Sequence, residues 1–74
     1  MEFQKQIILN SIESYKRAII NYSKCKQDAR DMHSMAAGQI FLARLLGLIT
    51  DEEKENLLQQ ISNTYGDTLS KLYA

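Results

Sequence analysis

The stretch that decides the fold is residues 29–48, which read ARDMHSMAAGQIFLARLLGL. It is the most apolar part of the chain and carries the smallest side chains. Ala29, Ala36 and Ala43 recur every seven residues, with Ile40 between the last two. On a helix these four positions share one stripe, and a stripe of small side chains lets a neighbouring helix approach closely. The pattern predicts a central helix over about residues 25–47, against which the rest of the chain packs.

The segment before it has helical periodicity of its own. Its apolar positions step by four, three, four and three residues, and no glycine or proline interrupts them. They are Ile8, Ile12, Tyr15, Ile19 and Tyr22. A first helix is therefore predicted over about residues 2–22.

The junction between these two helices allows two interpretations. Residues 22–28 are polar but contain no helix breaker. In the first interpretation the chain turns here, with Ser23 or Asp28 as the N-cap of the second helix. In the second, one continuous or kinked helix runs to about Leu46. At 1.5 Å per residue it would be roughly 65 Å long, and it would require a partner chain.

The end of the central helix and the start of a third are better defined. Gly47 suits the left-handed residue that follows many helices. Thr50 followed three residues later by Glu53 matches a capping box, and acidic residues in a first turn suit the positive end of the helix dipole. A third helix is predicted over about residues 51–72. Its expected apolar stripe is Leu58, Ile61, Tyr65 and Leu72.

These elements predict a single all-α domain over residues 1–74, either a helical hairpin or a three-helix bundle. A chain of 74 residues builds only a small core, and a lone cysteine cannot form an internal disulfide. Residues 1–44 carry seven basic and four acidic side chains, whereas residues 45–74 carry two and five, so the two parts attract each other. We therefore expect a homo-oligomer, in the first instance a dimer, to complete the fold. The predicted packing or subunit interface is Ile8, Ile12, Ile19, Ala29, Ala36, Ile40 and Ala43.

The composition argues against several classes of function. No signal peptide and no apolar run long enough to cross a bilayer are present, which predicts a cytoplasmic protein without membrane contact. His33 and Cys25 are the only residues of their types, and neither has a catalytic or metal-binding partner at helical spacing. We therefore expect no enzymatic activity, no metal and no cofactor.

A cluster of aromatic and basic side chains supports a different hypothesis. Cations interleaved with aromatic rings suit phosphate groups and stacked bases. The predicted ligand-binding residues are Tyr15, Lys16, Tyr22, Lys26 and Arg30. They favour an anionic ligand such as a nucleotide or cyclic nucleotide. DNA binding is a third hypothesis, disfavoured by the zero net charge and by the acidic start of the third helix.

Residues 42–58, LARLLGLITDEEKENLL, resemble part of small helical proteins from phages and mobile elements of Gram-positive bacteria. In those proteins a step of the form A-x-x-x-G-x-I-T-x-E-E links an apolar helix to an acidic one. The resemblance implies a protein that acts by binding a host protein or a small signalling molecule. Our leading hypothesis is thus a non-enzymatic helical adapter or inhibitor of a partner protein, acting as a homo-oligomer.

Overall fold

The computed structural model describes residues 2–72, and within that range it contains three α-helices and no strand. They are α1 (Glu2–Tyr22), α2 (Lys26–Leu45) and α3 (Asp51–Leu72). The prediction of an all-α fold is confirmed, and the chain forms the three-helix bundle rather than the hairpin. The described part of the molecule measures 41 × 18 × 14 Å.

Contacts between the helices show an up-down-up arrangement. Ser11 on α1 donates a hydrogen bond of 2.6 Å to Gln39 on α2, and the first half of α1 lines a groove with the last turns of α2. His33 stacks on Tyr65, whereas Arg44 pairs with Asp51, so α2 and α3 are also antiparallel. α1 and α3 consequently run in the same direction.

The junction after α1 is a turn, so the alternative of one continuous helix is wrong. α1 ends at Tyr22, and Cys25 in an extended conformation (φ −151°, ψ 169°) is the N-cap of α2. The predicted caps are also wrong. The hydroxyl oxygen of Ser23 is buried without a hydrogen-bond partner in the described chain, and Asp28 accepts a hydrogen bond of 3.0 Å from the backbone N–H of Lys24. Folding back buries apolar side chains of α1 and α2 against each other, and a straight helix would leave them in water.

The junction between α2 and α3 follows the predicted chemistry closely. Gly47 has φ +74°, and the backbone N–H groups of Gly47 and Leu48 donate to the carbonyls of Arg44 and Ala43, which is a Schellman motif. The capping box is confirmed. The Thr50 N–H donates to the Glu53 carboxylate at 2.8 Å, and the Glu53 N–H donates to the Thr50 hydroxyl at 3.1 Å.

The core lies along the axis where the three helices meet. Its main cluster is Ile12, Ala36, Ile40, Ala43, Ile49, Leu57 and Ile61. On α3 the buried line runs through Leu57, Ile61 and Thr68, so the predicted stripe is shifted: Leu58, Tyr65 and Leu72 are only half-buried. Tyr22, expected on the stripe of α1, is exposed because the helix ends there.

The residues predicted for the packing or subunit interface are used inside one chain. Ile12, Ile19, Ala29, Ala36, Ile40 and Ala43 are at most 1% exposed, and Ile8 is half-buried. Helices of the same chain cover these side chains. The six residues that are at most 1% exposed are therefore already covered within the chain, whereas Ile8 stays partly accessible.

Candidate interaction surface

The second half of α2 has two apolar faces, which the polar side chains of Gln39 and Arg44 separate on its flanks. Its inner face, Ala36, Ile40 and Ala43, is buried in the core. Its outer face, which we define as Met35, Gly38, Phe41, Leu42 and Leu45, lies on the opposite side of the helix and is exposed to solvent. Large apolar side chains such as these are normally buried. The bundle covers only one side of this helix.

The exposed side chains on this face are large. Leu45 is 83% exposed, and Met35, Phe41 and Leu42 are each just over half exposed. The first half of α2 has a different outer side, where the exposed residues are polar: Gln27, Arg30, Asp31 and Ser34. The apolar character is thus confined to the half of α2 that approaches the Schellman turn.

Gly38 lies at the centre of the outer face, opposite Ala36 and Ile40. A glycine inside a helix costs about 1 kcal/mol relative to alanine. A Cβ atom added at Gly38 would meet nothing within 4 Å, and the backbone is not left-handed there. Neither packing within the chain nor backbone conformation therefore requires a glycine at this position.

α1 extends the exposed surface. Phe3 is 78% exposed and Ile7 is 51% exposed. Ile7 also lines a groove of about 230 Å³ between α1 and α2. The other residues of that groove are Ile8, Ser11, Gln39, Leu42, Ala43, Leu46 and Leu48. We refer to the outer face together with Phe3, Ile7 and Leu46 as the apolar patch.

Charged side chains at the border of the apolar patch are paired within the chain. Arg44 forms an ion pair with Asp51, and Lys5 forms one with Glu53. The hydrogen bond from Arg44 lowers the pKa of Asp51, and the hydrogen bond from Lys5, followed by that from the Thr50 backbone, lowers the pKa of Glu53. Lys54 lies over the ring of Phe41, with its Nζ 5.7 Å from the ring centre. The charges at the border of the apolar patch are therefore neutralised in pairs, and they do not create an electrostatic potential of one sign.

The residues predicted to bind an anionic ligand point in different directions. Tyr15 accepts a 3.5 Å hydrogen bond from Gln39 on α2. Its neighbour Lys16 donates to Gln60 on α3 at 3.0 Å and pairs with Glu13. Tyr15 and Lys16 are thus directed toward different helices.

The other three predicted ligand residues lie at the turn between α1 and α2. Tyr22 borders a shallow depression with Lys24, Asp28, Asp31 and Met32, whose two carboxylates have the wrong sign for an anion. Lys26 and Arg30 are exposed on the first turns of α2. A continuous or kinked helix would place Tyr15, Tyr22 and Lys26 on one stripe with Arg30 near it. The turn at residues 23–25 instead separates Lys26 and Arg30 on α2 from the two tyrosines on α1.

Two further residues have structural surroundings. His33 packs against Tyr65, with the ring centroids 4.7 Å apart and the rings tilted by 34°. Cys25 is exposed at the N-cap of α2. Among residues 2–72 no group of His, Cys, Asp and Glu side chains is arranged to hold a metal ion.

The described helices include none with the length and apolar character needed to cross a membrane. Comparisons with models of protein families, with characterised proteins and with solved structures found no match. The function is consequently inferred from the geometry of this chain.

The outer face of α2 and the exposed residues of α1 were not predicted as a site from the sequence. The apolar character of residues 29–48 was attributed to the alanine stripe alone. The available signal was that residues 35–46 have apolar side chains at almost every position, including those opposite the alanines. That density exceeds what one buried stripe of an amphipathic helix needs.

Proposed function

We propose that this chain is a non-enzymatic helical interaction module that acts through the apolar patch, as an adapter or inhibitor of protein contacts. The observation that carries the proposal is the second half of α2, which is apolar toward the core and equally apolar toward solvent. Contiguous exposed apolar surface on a small domain is typical of protein-binding sites.

Among the large side chains of the apolar patch, Leu45 has the largest exposed fraction. Covering a fully exposed leucine contributes about 1.5–3 kcal/mol, and Leu45 is 83% exposed. Phe3 and Leu46, at 78% and 64% exposed, add to this. Large apolar side chains grouped in one exposed patch are typical of a surface that a partner covers. A partner that covers the patch thus gains much of the affinity of an ordinary protein contact.

Site-specific photo-crosslinking in the producing cells tests this function. A photo-reactive amino acid is placed at Leu45 in one variant and at Gln59, an exposed polar position on α3, in the matched control. The proposal predicts a discrete crosslinked protein species from Leu45 and none above background from Gln59. No species at Leu45, or the same species from both positions, would contradict it.

A further inference from the structure

We propose that the occupant of the outer face is a second copy of this chain, packed so that the two α2 helices cross antiparallel about a two-fold axis. The inference depends on the proposed function, since it names the partner of the same surface. In this arrangement Leu45 of each chain seats on Gly38 of the other.

Shape is the first argument for a second copy. Among the described residues Leu45 is the most exposed of the large apolar side chains, and Gly38 leaves open space where a side chain would stand. They are seven residues apart, which places them on the same side of α2 two turns from each other. One helix therefore carries both a protruding side chain, at Leu45, and a position where no side chain stands, at Gly38, which we call the depression.

Symmetry turns this pair into a self-complementary surface. In a two-fold interface, residue i contacts residue j of the partner, and residue j contacts residue i. When two antiparallel copies of α2 are related by an axis close to Phe41 and Leu42, Leu45 of each chain lies over Gly38 of the other. The glycine then has a role that nothing within its own chain supplies, because it admits the partner's leucine.

Charge and area support the same occupant. The ion pairs Arg44–Asp51 and Lys5–Glu53 neutralise the border within the chain, so the face offers no excess charge to attract an acidic or basic partner. Covering the whole apolar patch, which adds Phe3, Ile7 and Leu46 to the outer face, would bury an area on the order of the ~800 Å² per partner that stable interfaces bury. The polar first half of α2 lies beyond the end of the partner's helix and stays in water.

Sedimentation velocity of the full chain over a concentration series tests the proposal. The wild type is expected to be a dimer at micromolar concentration. Gly38→Leu fills the depression and should raise the dimer dissociation constant about tenfold or more. Gly66→Leu is the matched control, because Gly66 is also an exposed helical glycine with open space around its Cβ position. It should leave the constant within about twofold, the range expected for a surface change away from the interface.

A size exchange separates the specific contact from general stickiness. Leu45→Ala alone should weaken the dimer, whereas Gly38→Leu combined with Leu45→Ala should dimerise more tightly than Gly38→Leu alone. Such non-additivity arises only when two positions meet. If the added leucine at residue 38 strengthened association in every background, the apolar face would be sticky without this register, and the proposal would be overturned.

The remaining outcomes also decide between the two proposals. A monomer at all concentrations, or a dimer unaffected by both single variants, would overturn the second copy as occupant. If Leu45 still crosslinked to a different protein in cells, the proposed function would stand with another partner. If Leu45 crosslinked to nothing, the function would fail as well. Circular dichroism checks that each variant keeps its helices.

Discussion

Small residues on α2 occupy two opposite sides, and each side places a different limit on what can replace them. Ala36 is completely buried among the helices, whereas Gly38, two positions later, is open to solvent. Because interiors are close-packed, a larger side chain at Ala36 has to displace its neighbours. The same enlargement at Gly38 meets nothing inside the chain.

Ala36→Leu is therefore expected to lower the free energy of unfolding by about 1–3 kcal/mol. Chemical denaturation followed by circular dichroism measures this. Gln59→Leu, at an exposed helical position, is the control and should change stability by less than about 0.5 kcal/mol. Equal effects of the two substitutions would mean that the alanine stripe is not a packed seam.

The alanine stripe shows which features of the fold the sequence pattern could predict and which it could not. The seven-residue spacing of Ala29, Ala36 and Ala43 predicted the buried side of α2 correctly, because spacing determines which residues share a face. It could not show which molecule covers that face. The side opposite the stripe was overlooked. Its apolar side chains are evident in the sequence, but only the positions of α1 and α3 show that they are left exposed.

At the scale of the elements, the start of α3 is held by local chemistry. Thr50→Ala removes the hydroxyl that accepts the Glu53 N–H, and we expect a loss of about 0.5–2 kcal/mol of stability. Thermal unfolding measures it. Ser62→Ala, a hydroxyl deletion at an exposed position inside α3, is the control and should have little effect. An equally large loss of stability in the control would mean that the loss comes from deleting any hydroxyl in α3 and not from removing the cap.

The carboxylates in the first turn of α3 make the stability depend on pH. Asp51 and Glu53 have pKa values lowered in the folded protein, chiefly by hydrogen bonds from Arg44 and Lys5. The folded state thus binds protons less readily than the unfolded state. Their contribution is present in full above the unfolded pKa values of about 3.9 and 4.3, and it is lost as the pH falls through the lower folded values.

Melting temperatures measured from neutral pH down through this acid range check the sign. The wild type should lose stability more steeply with falling pH than Asp51→Asn combined with Glu53→Gln. Glutamine retains an acceptor for the cap, so the comparison isolates the charge. Parallel curves for the two proteins would show that these ion pairs contribute nothing to the pH dependence.

The two connections between helices differ in how well their residues predicted them. Gly47, Thr50 and Glu53 have side-chain and backbone chemistry that specifies a helix stop and a helix start, so the second connection was predicted in detail. The turn at residues 23–25 has no such residue, and its N-cap Cys25 makes no side-chain cap hydrogen bond. Tertiary burial decides that turn, and for this reason the sequence left a continuous helix open.

At the scale of the whole molecule, the chain leaves much of its apolar surface outside. Its main core cluster includes two alanines, while nine large hydrophobic side chains are exposed by half or more in the described chain. The residues of the predicted ligand cluster do not come together, because the chain folds back at residues 23–25 and separates α1 from the start of α2. The apolar patch combines residues of α1 and α2, so it forms only when the chain folds.

Disulfide trapping across the outer face tests the central claim, that this face is a protein contact formed by a second copy. Gly38→Cys and Leu45→Cys are combined in a Cys25→Ser background and oxidised mildly. Within one helix these positions are roughly 10 Å apart, which is too far for a disulfide, so a bond between them must join two chains. The account predicts a covalent dimer on a non-reducing gel, and a much weaker one when Gly66→Cys replaces Gly38→Cys. A product that stays monomeric under oxidation, or equal crosslinking in the control, would contradict it.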